Sequence, residues 1–585
     1  MLIAGRAEGA PVGEEFEVLG TNPNAAFRLN VHRGDGMVLL GMDWLDPQPP
    51  ADFVGFAIEY RPPNHANFSA LRNRITFATP PSNIGTGKPE SSLWAPIQKF
   101  RWVHFPFEPE LPGEYRYRVR PASMDGARAI TLGDAQEVGV ELRRETYPGL
   151  LNVAYTRGFV SSQAFVDRYE SVAPISTLIP DVADEGLDFV PTHPKAKEAY
   201  AWMGFEARSA ILEVLDNAVA DATAQVRVVA YDLNEPDIVD KLSKLGSRLR
   251  IVIDNSDAHG KPGSAETQAS TRLSGTAGAT HVKRHHMSNL QHNKTIVVEG
   301  DAGDVVVCGS TNFTWRGLYV QANNAIVLRG EKAARVFHEA FSSYWANNSV
   351  VGFGTTDSTR WRDLGLPGID ARVSFSPHAA TNARLAGVAA DIESATSSVF
   401  YSLAFINQTT GPVRDAVKHV TENPKIFVYG MADRRIGGIN LQSPDGNVQP
   451  VAPEALSGNL PEPFKSEPTG LTSNGTGTRM HHKFVVLDFD KPNARVYTGS
   501  YNVSKPADLQ NGENLLRIRD RRIATSYMVE ALRLFDHYRF RVAQDNAIAA
   551  ATPFDLKEPP APGANAWWHD LYTVPIKIRD RKLFS

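Results

Sequence analysis

One short pattern of polar residues occurs twice in this chain, at residue 292 and again at residue 481. The first copy, 292–299, reads His-Asn-Lys, then four residues and Glu; the second, 481–488, reads His-His-Lys, then four residues and Asp. Each is followed at nearly the same distance by a Gly-Ser-x-Asn segment, at 309–312 and 499–502. The interval between the two copies, from residue 292 to residue 481, is too long for a solenoid repeat, whose period is roughly 20–50 residues. The chain is therefore predicted to fold as two similar halves that bring their imidazole and ammonium groups to one site.

The predicted secondary structure repeats in the same order around the two copies. Apolar strands alternate with helical stretches in both, which predicts βαβ units of an α/β fold. Each half closes on an amphipathic helix, at 331–347 and 522–538. The first series is a helix at 195–219, a strand at 226–231, a helix at 237–245 and a strand at 250–254; the second is 381–395, 399–404, 413–421 and 425–429.

The rest of the 585-residue chain is predicted to be accessory. Short alternating segments broken by Pro and Gly, such as 53–60 and 115–120, predict an immunoglobulin-like β-sandwich at the start. An aromatic cluster around Trp567 predicts a tail that packs on the catalytic body, since exposed aromatic clusters are unfavourable in water. The four predicted units are the sandwich at 1–145, the halves at 146–350 and 351–545, and the tail at 546–585.

The composition is that of a globular protein, with 42% hydrophobic and 22% charged residues. No segment supplies the roughly 18 consecutive apolar residues of a membrane helix, so no transmembrane segment is expected, while a peripheral contact with a membrane stays open. The start of the chain lacks the pattern of a secretory signal, and the single cysteine, Cys308, excludes an intrachain disulfide. We therefore expect a cytoplasmic protein, and the sequence carries no signal for its oligomeric state.

The spacing within each copy has a direct chemical consequence. Side chains two residues apart on a strand project from the same face, so His481 shares a face with Lys483, and His292 shares one with Lys294. An imidazole can attack phosphorus or carry a proton near neutral pH, while an ammonium group stabilises charge on the nonbridging oxygens of a phosphate. One copy alone does not supply both a nucleophile and a proton donor, but the two copies together do.

These paired segments resemble the phospholipase D superfamily, whose signature is His-x-Lys-x4-Asp followed by Gly-Ser-x-Asn, repeated to form one active site. The resemblance covers residues 195–545 and depends on both copies, because a single His-x-Lys is a weak signal. It implies two α/β/α halves related by a pseudo-twofold axis. The expected fold class is therefore α/β, with two phospholipase D-like halves preceded by an N-terminal β-sandwich.

The resemblance also implies a chemistry and a set of site residues. One histidine attacks a phosphodiester and forms a phosphohistidine, while the other protonates the leaving alcohol and then activates water or a second alcohol. Neither a metal nor another cofactor is expected, because the lysines supply the neutralising charge. The implied catalytic residues are His292, Lys294, His481, Lys483 and Glu513, the implied substrate-binding residues are Ser310, Asn312, Ser500, Asn502 and Asn323, and the structural motif acids are Glu299 and Asp488.

The two copies differ at positions that bear on their roles. The family carboxylate after the second turn is Glu513, whereas Asn323 occupies the matching place in the first half. In the family this acid reaches the histidine of the opposite half, which implies that Glu513 supports His292 and favours its charged form. Our hypothesis is that His292 is the nucleophile and His481 the general acid. In addition, Glu299 is one methylene longer than the Asp of the signature, which we expect to adjust the strand without removing activity.

Three functions are compatible with these residues. The leading one is a phospholipase D-type phosphodiesterase that hydrolyses or transfers the phosphodiester of a phospholipid. The nearest rival is a nuclease of the same family acting on DNA or RNA, for which the run 312–314 is typical, although a net charge of −4 provides no general field for a polyanion. The third is a noncatalytic adaptor that only binds phosphate, supported by Asn323 and Glu299 alone. Turnover of a phosphodiester, and the choice between lipid and nucleic acid, separates the three.

Overall fold

The protein forms two compact units in a computed structural model. One unit comprises Met1–Arg143 with Ala547–Ser585, and the other comprises Arg144–Asn546. The structure describes residues 16–585 except 46, 107, 143–144, 159–160, 382, 405, 407–409, 434–438, 445–447 and 452–479. None of the helices in these described ranges is long and apolar enough to cross a bilayer.

The N-terminal unit contains two antiparallel sheets. One has the order β1-β2-β3-β6 and the other β5-β4-β7-β8, with β9 paired to β7. A single apolar core joins the inner faces of both sheets, so the predicted sandwich is confirmed. The strands are β1 Glu17–Leu19, β2 Phe27–Gly34, β3 Met37–Trp44, β4 Phe53–Arg61, β5 Ser69–Ala70, β6 Arg101–His104, β7 Glu114–Met124, β8 Ile130–Leu132 and β9 Gln136–Glu141.

The strand order of this sandwich is not the immunoglobulin order that the sequence analysis expected. In immunoglobulin domains the second and third strands lie in opposite sheets. Here β2 and β3 form a hairpin within one sheet, with Gly34 paired to Met37 across a two-residue turn. That turn consists of Asp35 and Gly36, and the positive φ of 58° at Asp35 is typical of the Asp-Gly turns that connect adjacent antiparallel strands.

The C-terminal tail completes the N-terminal unit, whereas the sequence analysis placed it on the catalytic halves. The indole of Trp567 donates a hydrogen bond to the Phe53 carbonyl at 3.0 Å and packs on the rings of Phe53 and Phe100. Trp568 is buried in the same core. The aromatic cluster thus correctly indicated burial, but its sequence does not specify which apolar surface receives it. Two short helices follow, Asp570–Thr573 and Pro575–Leu583.

The first half of the larger unit is a seven-stranded sheet in the order β10-β16-β15-β14-β11-β12-β13. Strands β11, β12 and β13 are parallel, and the others pair antiparallel. Helices α2 and α6 pack against the central strands. The elements are β10 Leu151–Tyr155, α1 Ser162–Tyr169, α2 Ala196–Ala220, β11 Gln225–Ala230, α3 Pro236–Lys244, β12 Leu249–Ile253, α4 Ala265–Ala277, β13 Val282–Arg284, β14 Lys294–Glu299, β15 Val305–Gly309, α5 Trp315–Tyr319, β16 Asn324–Arg329 and α6 Glu331–Ala346.

The second half repeats this arrangement in a nine-stranded sheet, β17-β18-β25-β24-β23-β19-β20-β21-β22. Across the sheet, the strands from β18 to β21 correspond one to one with those from β10 to β13 in the first half, and β19 and β20 are parallel as β11 and β12 are. The predicted duplication and α/β class are therefore confirmed. The elements are α7 Val350–Gly354, β17 Arg362–Asp363, β18 Asp370–Ser376, α8 Leu385–Glu393, β19 Ser398–Leu403, α9 Pro412–Glu422, β20 Phe427–Asp433, β21 Ile439–Gln442, β22 Val448–Val451, β23 Lys483–Leu487, β24 Arg495–Gly499, α10 Lys505–Leu509, β25 Glu513–Arg519 and α11 Arg521–Ala549.

Two short backbone bridges join the halves in equivalent places. Gln291 pairs with Gly512, and Met480 pairs with Ala322, both in parallel orientation. In each bridge one residue directly precedes a signature histidine and the other directly precedes the position of the family carboxylate. This exchange is the pattern expected of a pseudo-twofold axis, and it brings the two signature segments together.

Candidate active site

The two signature histidines meet at the interface between the halves. His292 lies two residues before the start of β14 and His481 two residues before the start of β23, so each ring is held close to the beginning of a central strand. The ring centroids are 6.3 Å apart and the ring planes are inclined by 70°. Both residues are buried, at 4% and 7% exposure. Two imidazoles that are far apart in sequence therefore flank one small space.

The partners of the two rings come from the opposite halves. The Nδ1 atom of His292 lies 3.1 Å from the Glu513 carboxylate, and Nδ1 of His481 lies 2.9 Å from Oδ1 of Asn323. The amide of Asn323 is oriented by its nitrogen, which donates to the Gly317 carbonyl, so its oxygen faces the ring. Both rings thus have an acceptor at Nδ1, which places the hydrogen there and leaves Nε2 as the reactive nitrogen.

The surroundings make both rings weak bases and His292 the stronger of the two. Burial, followed by the Lys294 ammonium, lowers the pKa of His292, whereas Glu513 acts in the opposite direction. Burial and the two nearby lysine charges lower the pKa of His481 well below its ordinary value, and the side chain beside its Nδ1, Asn323, is a neutral amide. Both rings are therefore neutral in the free protein at pH 7.

The two signature lysines lie beside their histidines. Lys294 donates from Nζ to the carbonyl of His292 at 2.5 Å, and Lys483 donates to the carbonyl of His481 at 2.7 Å. The Lys294 ammonium also lies 4.7 Å from the centre of the Tyr231 ring. Both lysines are buried, and burial lowers the pKa of Lys294 to about 7. Burial thus disfavours the charged form of both amines in the free site, and an anionic ligand would stabilise that form.

The Gly-Ser-x-Asn turns hold their backbone by matching contacts. Ser310 Oγ accepts from the backbone N–H of Asn324 at 3.0 Å, and Ser500 Oγ accepts from the backbone N–H of Asn514 at the same distance. The turn glycine adopts a φ of 130° in the first copy, and a Cβ there would lie 2.5 Å from the Asn324 carbonyl, so only glycine is compatible with it. These hydroxyls therefore support the turn, and any contact of the serines with substrate stays a prediction.

The turn asparagines and Asn323 have different surroundings. Asn312 donates from Nδ2 to Asp232 at 2.5 Å, while its Oδ1 is buried without a hydrogen-bond partner among the described residues. Within the same described ranges, Oδ1 of Asn502 also has no such partner. Asn323, in contrast, is fully buried, and its amide contacts His481, Ser310 and the backbone. The resemblance groups Asn323 with the substrate-binding residues, whereas the structure places it as a partner of the His481 ring.

The two motif acids lie away from the histidines. Glu299 accepts from Arg227 at 2.8 Å and contacts His338 at 2.9 Å. Asp488 is fully buried and accepts from the amides of Thr396 and Ser397 at 2.9 and 2.7 Å. These contacts hold strand ends and loops in place. The longer side chain of Glu299 is accommodated by its own pair of partners on the first half.

The structure adds a cluster that the sequence analysis did not single out. His259 contacts Asp232 through Nε2 and Asp254 through Nδ1, both at 2.8 Å. Against the effect of burial, these carboxylates raise the pKa of His259 to about 11, so it is a cation. The ring of Tyr231 lies between this cluster and the site, with centroids 4.7 Å from both His259 and His292. The available signal was a pair of polar residues, Tyr231 and Asp232, directly after strand β11.

Part of this cluster has the donor set of a metal site. One atom each from Asp232, His259 and Glu266 lies within 4.8 Å of the others, and one imidazole with two carboxylates suits ions such as Zn²⁺ or Mn²⁺. Both nitrogens of His259 are, however, already in contact with carboxylates at 2.8 Å. If both ring nitrogens of His259 carry a proton, the imidazolium balances the charge of the neighbouring carboxylates without a metal ion.

Comparison with known families agrees with this site. The family profile described as "Cardiolipin synthase, PLD-like domain" matches residues 215–345 and 391–535, one match in each half. Each matched range contains one signature segment and its Gly-Ser-x-Asn turn. The chain belongs to the phospholipase D superfamily, whose members are phosphodiesterases or phosphatidyltransferases.

The matches to solved structures have low sequence identity and TM-scores below 0.5. A polyphosphate kinase from Porphyromonas gingivalis is 8% identical with a TM-score of 0.37, and the match covers 63% of this chain and 60% of that one. Phosphatidylserine synthase from Haemophilus influenzae Rd KW20 is 12% identical with a TM-score of 0.40, covering 60% and 92%. Nuc, a phospholipase D family member from Salmonella typhimurium, is 25% identical with a TM-score of 0.20, covering 24% and 87%. No curated protein matches the sequence significantly.

Proposed function

We propose that this protein is a phosphodiesterase of phospholipase D type that hydrolyses or transfers the phosphodiester of a phospholipid through a phosphohistidine. The observation that carries the proposal is the pair of imidazoles, 6.3 Å apart, each anchored at Nδ1 by a residue of the opposite half. Two buried lysines accompany them. This arrangement supplies a nucleophile, a proton donor and positive charge around one phosphorus atom.

The reaction proceeds in two displacements at phosphorus. In the first, the lone pair of His292 Nε2 forms a bond to phosphorus, the bond from phosphorus to the leaving oxygen breaks, and His481 donates a proton to that oxygen. In the second, His481 removes a proton from water or an alcohol, the resulting oxygen attacks phosphorus, and the bond from phosphorus to His292 breaks. The net result is hydrolysis with water or transfer with an alcohol.

The unequal partners of the two rings support this order of roles. As the bond to phosphorus forms, positive charge develops on the attacking ring, and the Glu513 carboxylate 3.1 Å from His292 stabilises it. His481 faces two neutral acceptors, the side-chain amide of Asn323 and the Ser310 carbonyl, so its protonated form is the stronger acid. The negative charge of a bound phosphodiester offsets the lysine charges and thereby raises the pKa of His481, so that the ring takes up from solvent, as substrate binds, the proton that it donates to the leaving oxygen.

The remaining positive and polar groups hold the phosphate. Lys294 and Lys483 neutralise the charge on the nonbridging oxygens, and the amides of Asn312 and Asn502 donate to them. The first displacement therefore has two fixed cations in a site that excludes most water, where their effect is stronger than in bulk solvent. The mechanism uses no step at a metal or another cofactor.

Two observations support a lipid as the substrate over a nucleic acid. The matching family profile is that of cardiolipin synthase-type domains. The chain has a net charge of −4, and strong nonspecific binding of DNA or RNA depends on positive charge. A lipid headgroup needs only the local charge at the site. We therefore rank phospholipid first and single-stranded nucleic acid second.

A substrate panel in excess chelator tests this proposal. The purified chain is incubated with phosphatidylcholine and phosphatidylglycerol vesicles and with single-stranded DNA, and the released headgroup and cleaved strands are measured. We expect turnover of at least one lipid, and transfer when an alcohol such as ethanol is added. The double variant H292A/H481A is the control for contaminating activity. Cleavage of DNA alone identifies a nuclease and contradicts the lipid assignment, and inactivity toward all substrates favours the adaptor function.

A further inference from the structure

We propose that Asp232 is a positioning residue that fixes the side-chain amide of Asn312, so that one of its N–H groups faces the substrate phosphate. Asn312 donates from Nδ2 to the Asp232 carboxylate at 2.5 Å. An amide nitrogen carries two hydrogens, so one N–H remains for a ligand. In the flipped amide, the oxygen would face both the carboxylate and the phosphate, and it would be repelled by both. The carboxylate therefore selects the orientation that binds phosphate.

Asp232 is itself held in place by a chain of charged contacts. His259 contacts Asp232 at 2.8 Å on one side and Asp254 at 2.8 Å on the other. Asp254 is fully buried and also accepts from the backbone N–H of Gln291 at 2.7 Å. Gln291 directly precedes His292, so the chain connects the phosphate-binding turn to the segment that carries the nucleophile.

Both oxygens of Asp232 are in contact with neighbouring side chains. Its Oδ1 lies 2.8 Å from Nε2 of His259, and its Oδ2 accepts from Nδ2 of Asn312 at 2.5 Å. A carboxylate oxygen left unpaired close to a phosphate would weaken phosphate binding. Asp232 can thus orient Asn312 while each of its oxygens is engaged.

The sequence of the second half differs from that of the first at the position equivalent to Asp232. Ala230 lies opposite Lys294 in the first sheet, and Leu403 lies opposite Lys483 in the second. Two residues further along, the position equivalent to Asp232 is therefore Phe405 in the sequence, which has no acceptor in its side chain. The two turns share their motif, but the sequence has an acid at this position in the first half and a phenylalanine in the second.

This inference rests on the proposed function for its kinetic test, and a binding test makes it independent of turnover. The variants are Asp232→Ala, Asn312→Ala and the combination of both, measured for kcat/KM and for the affinity of inorganic phosphate. Losing a charged hydrogen bond typically costs about 10- to 100-fold, so we expect Asp232→Ala to lower kcat/KM and phosphate affinity by that factor. Because Asp232 acts through Asn312, adding Asp232→Ala to Asn312→Ala should change either value by less than about threefold.

Control variants separate positioning from folding. Asp240→Ala removes an exposed acid on helix α3 of the same half and should leave both values unchanged. Asp232→Asn keeps the size of the side chain and one acceptor oxygen, so it should recover part of the lost kcat/KM and phosphate affinity. If Asp232→Ala does not fold, Asp232→Asn takes its place in the comparison of the single and double variants. All variants are checked by thermal unfolding.

Three results would overturn the inference. Losses from Asp232→Ala and Asn312→Ala that multiply in the double variant would show that Asp232 acts independently of Asn312. Wild-type phosphate affinity in Asp232→Ala would show that the amide needs no support, even if no substrate turns over. Activity that chelator abolishes and Zn²⁺ or Mn²⁺ restores, in the wild type but not in Asp232→Ala, would assign Asp232 to a metal site instead.

Discussion

Replacing Glu513 by glutamine removes the charge that faces His292 while keeping the size of the side chain. The carboxylate is fully buried, and its two oxygens serve different partners. Oε2 lies 3.1 Å from Nδ1 of His292, and Oε1 accepts from Asn511 at 2.9 Å. A glutamine has only one acceptor oxygen, so one of these two donors faces an N–H group instead. The substitution therefore tests the charge and the hydrogen-bonding pattern together.

The expected rate effect follows from the part of this interaction that grows during the reaction. Positive charge appears on His292 only as its bond to phosphorus forms, so the charged contact is stronger in the transition state than in the free protein. A hydrogen bond to a charged group contributes about 1.5–3 kcal/mol, which corresponds to about 10- to 150-fold in rate. The cost of the unpaired donor is present before and after binding and affects mainly stability.

The assay is a stopped-flow measurement with a chromogenic phosphodiester in excess chelator. The burst phase reports attack by His292, and we expect Glu513→Gln to slow it by the factor above with a smaller change in KM. Asn323→Asp is the matched variant on the other half; a carboxylate beside His481 should raise the pKa of that ring and move its limb of the pH–rate profile to higher pH. A burst rate for Glu513→Gln within twofold of wild type would refute the role of the carboxylate.

Three further predictions concern the histidines, a lysine and a buried acid. His292→Ala and His481→Ala should each lower kcat by several orders of magnitude, because nucleophile and acid act as a unit, and near-normal kcat in either variant contradicts this. Binding of inorganic phosphate at pH 8 should take up protons, since burial lowers the pKa of Lys294 to about 7 and the anion raises it again. Calorimetry in buffers of different ionisation enthalpy measures this uptake, which Lys294→Arg should reduce and which equal heats in all buffers would exclude. Glu530→Gln should lower the free energy of unfolding by about 3–5 kcal/mol in urea denaturation, because this buried carboxylate accepts from Arg533 at 2.6 Å; a loss below about 1 kcal/mol contradicts it.

The sequence predicts most of the catalytic architecture because the duplication supplies two independent copies of each signal. The predicted strand at 226–231 corresponds to β11, Gln225–Ala230, and the predicted strand at 399–404 corresponds to β19, Ser398–Leu403. The offset between the copies also identifies Asn323 as the counterpart of Glu513. In the structure these two residues lie beside the histidines of the opposite halves, as the resemblance implied for the family carboxylate.

The features that the sequence did not predict lack such a second copy. His259 lies in a short helical turn, Asp257–Gly260, and reaches Asp232 only through the tertiary fold, so no spacing rule connects the two residues. The Trp567 cluster predicts burial without specifying the surface that receives it. The Asp-Gly turn at residue 35 was visible in the sequence and favours a hairpin over an immunoglobulin arrangement. The substrate class and the cytoplasmic location stay predictions.

Identification of the phosphorylated residue tests the central claim most directly. A phosphodiester substrate labelled in the group that stays on the enzyme is mixed with the protein, quenched in alkali to preserve phosphohistidine, and the labelled peptide is mapped. We expect label on His292 in the wild type, more label in His481→Gln if the second displacement slows more than the first, and none in His292→Gln. Label on His481, or turnover without any covalent intermediate, would contradict it.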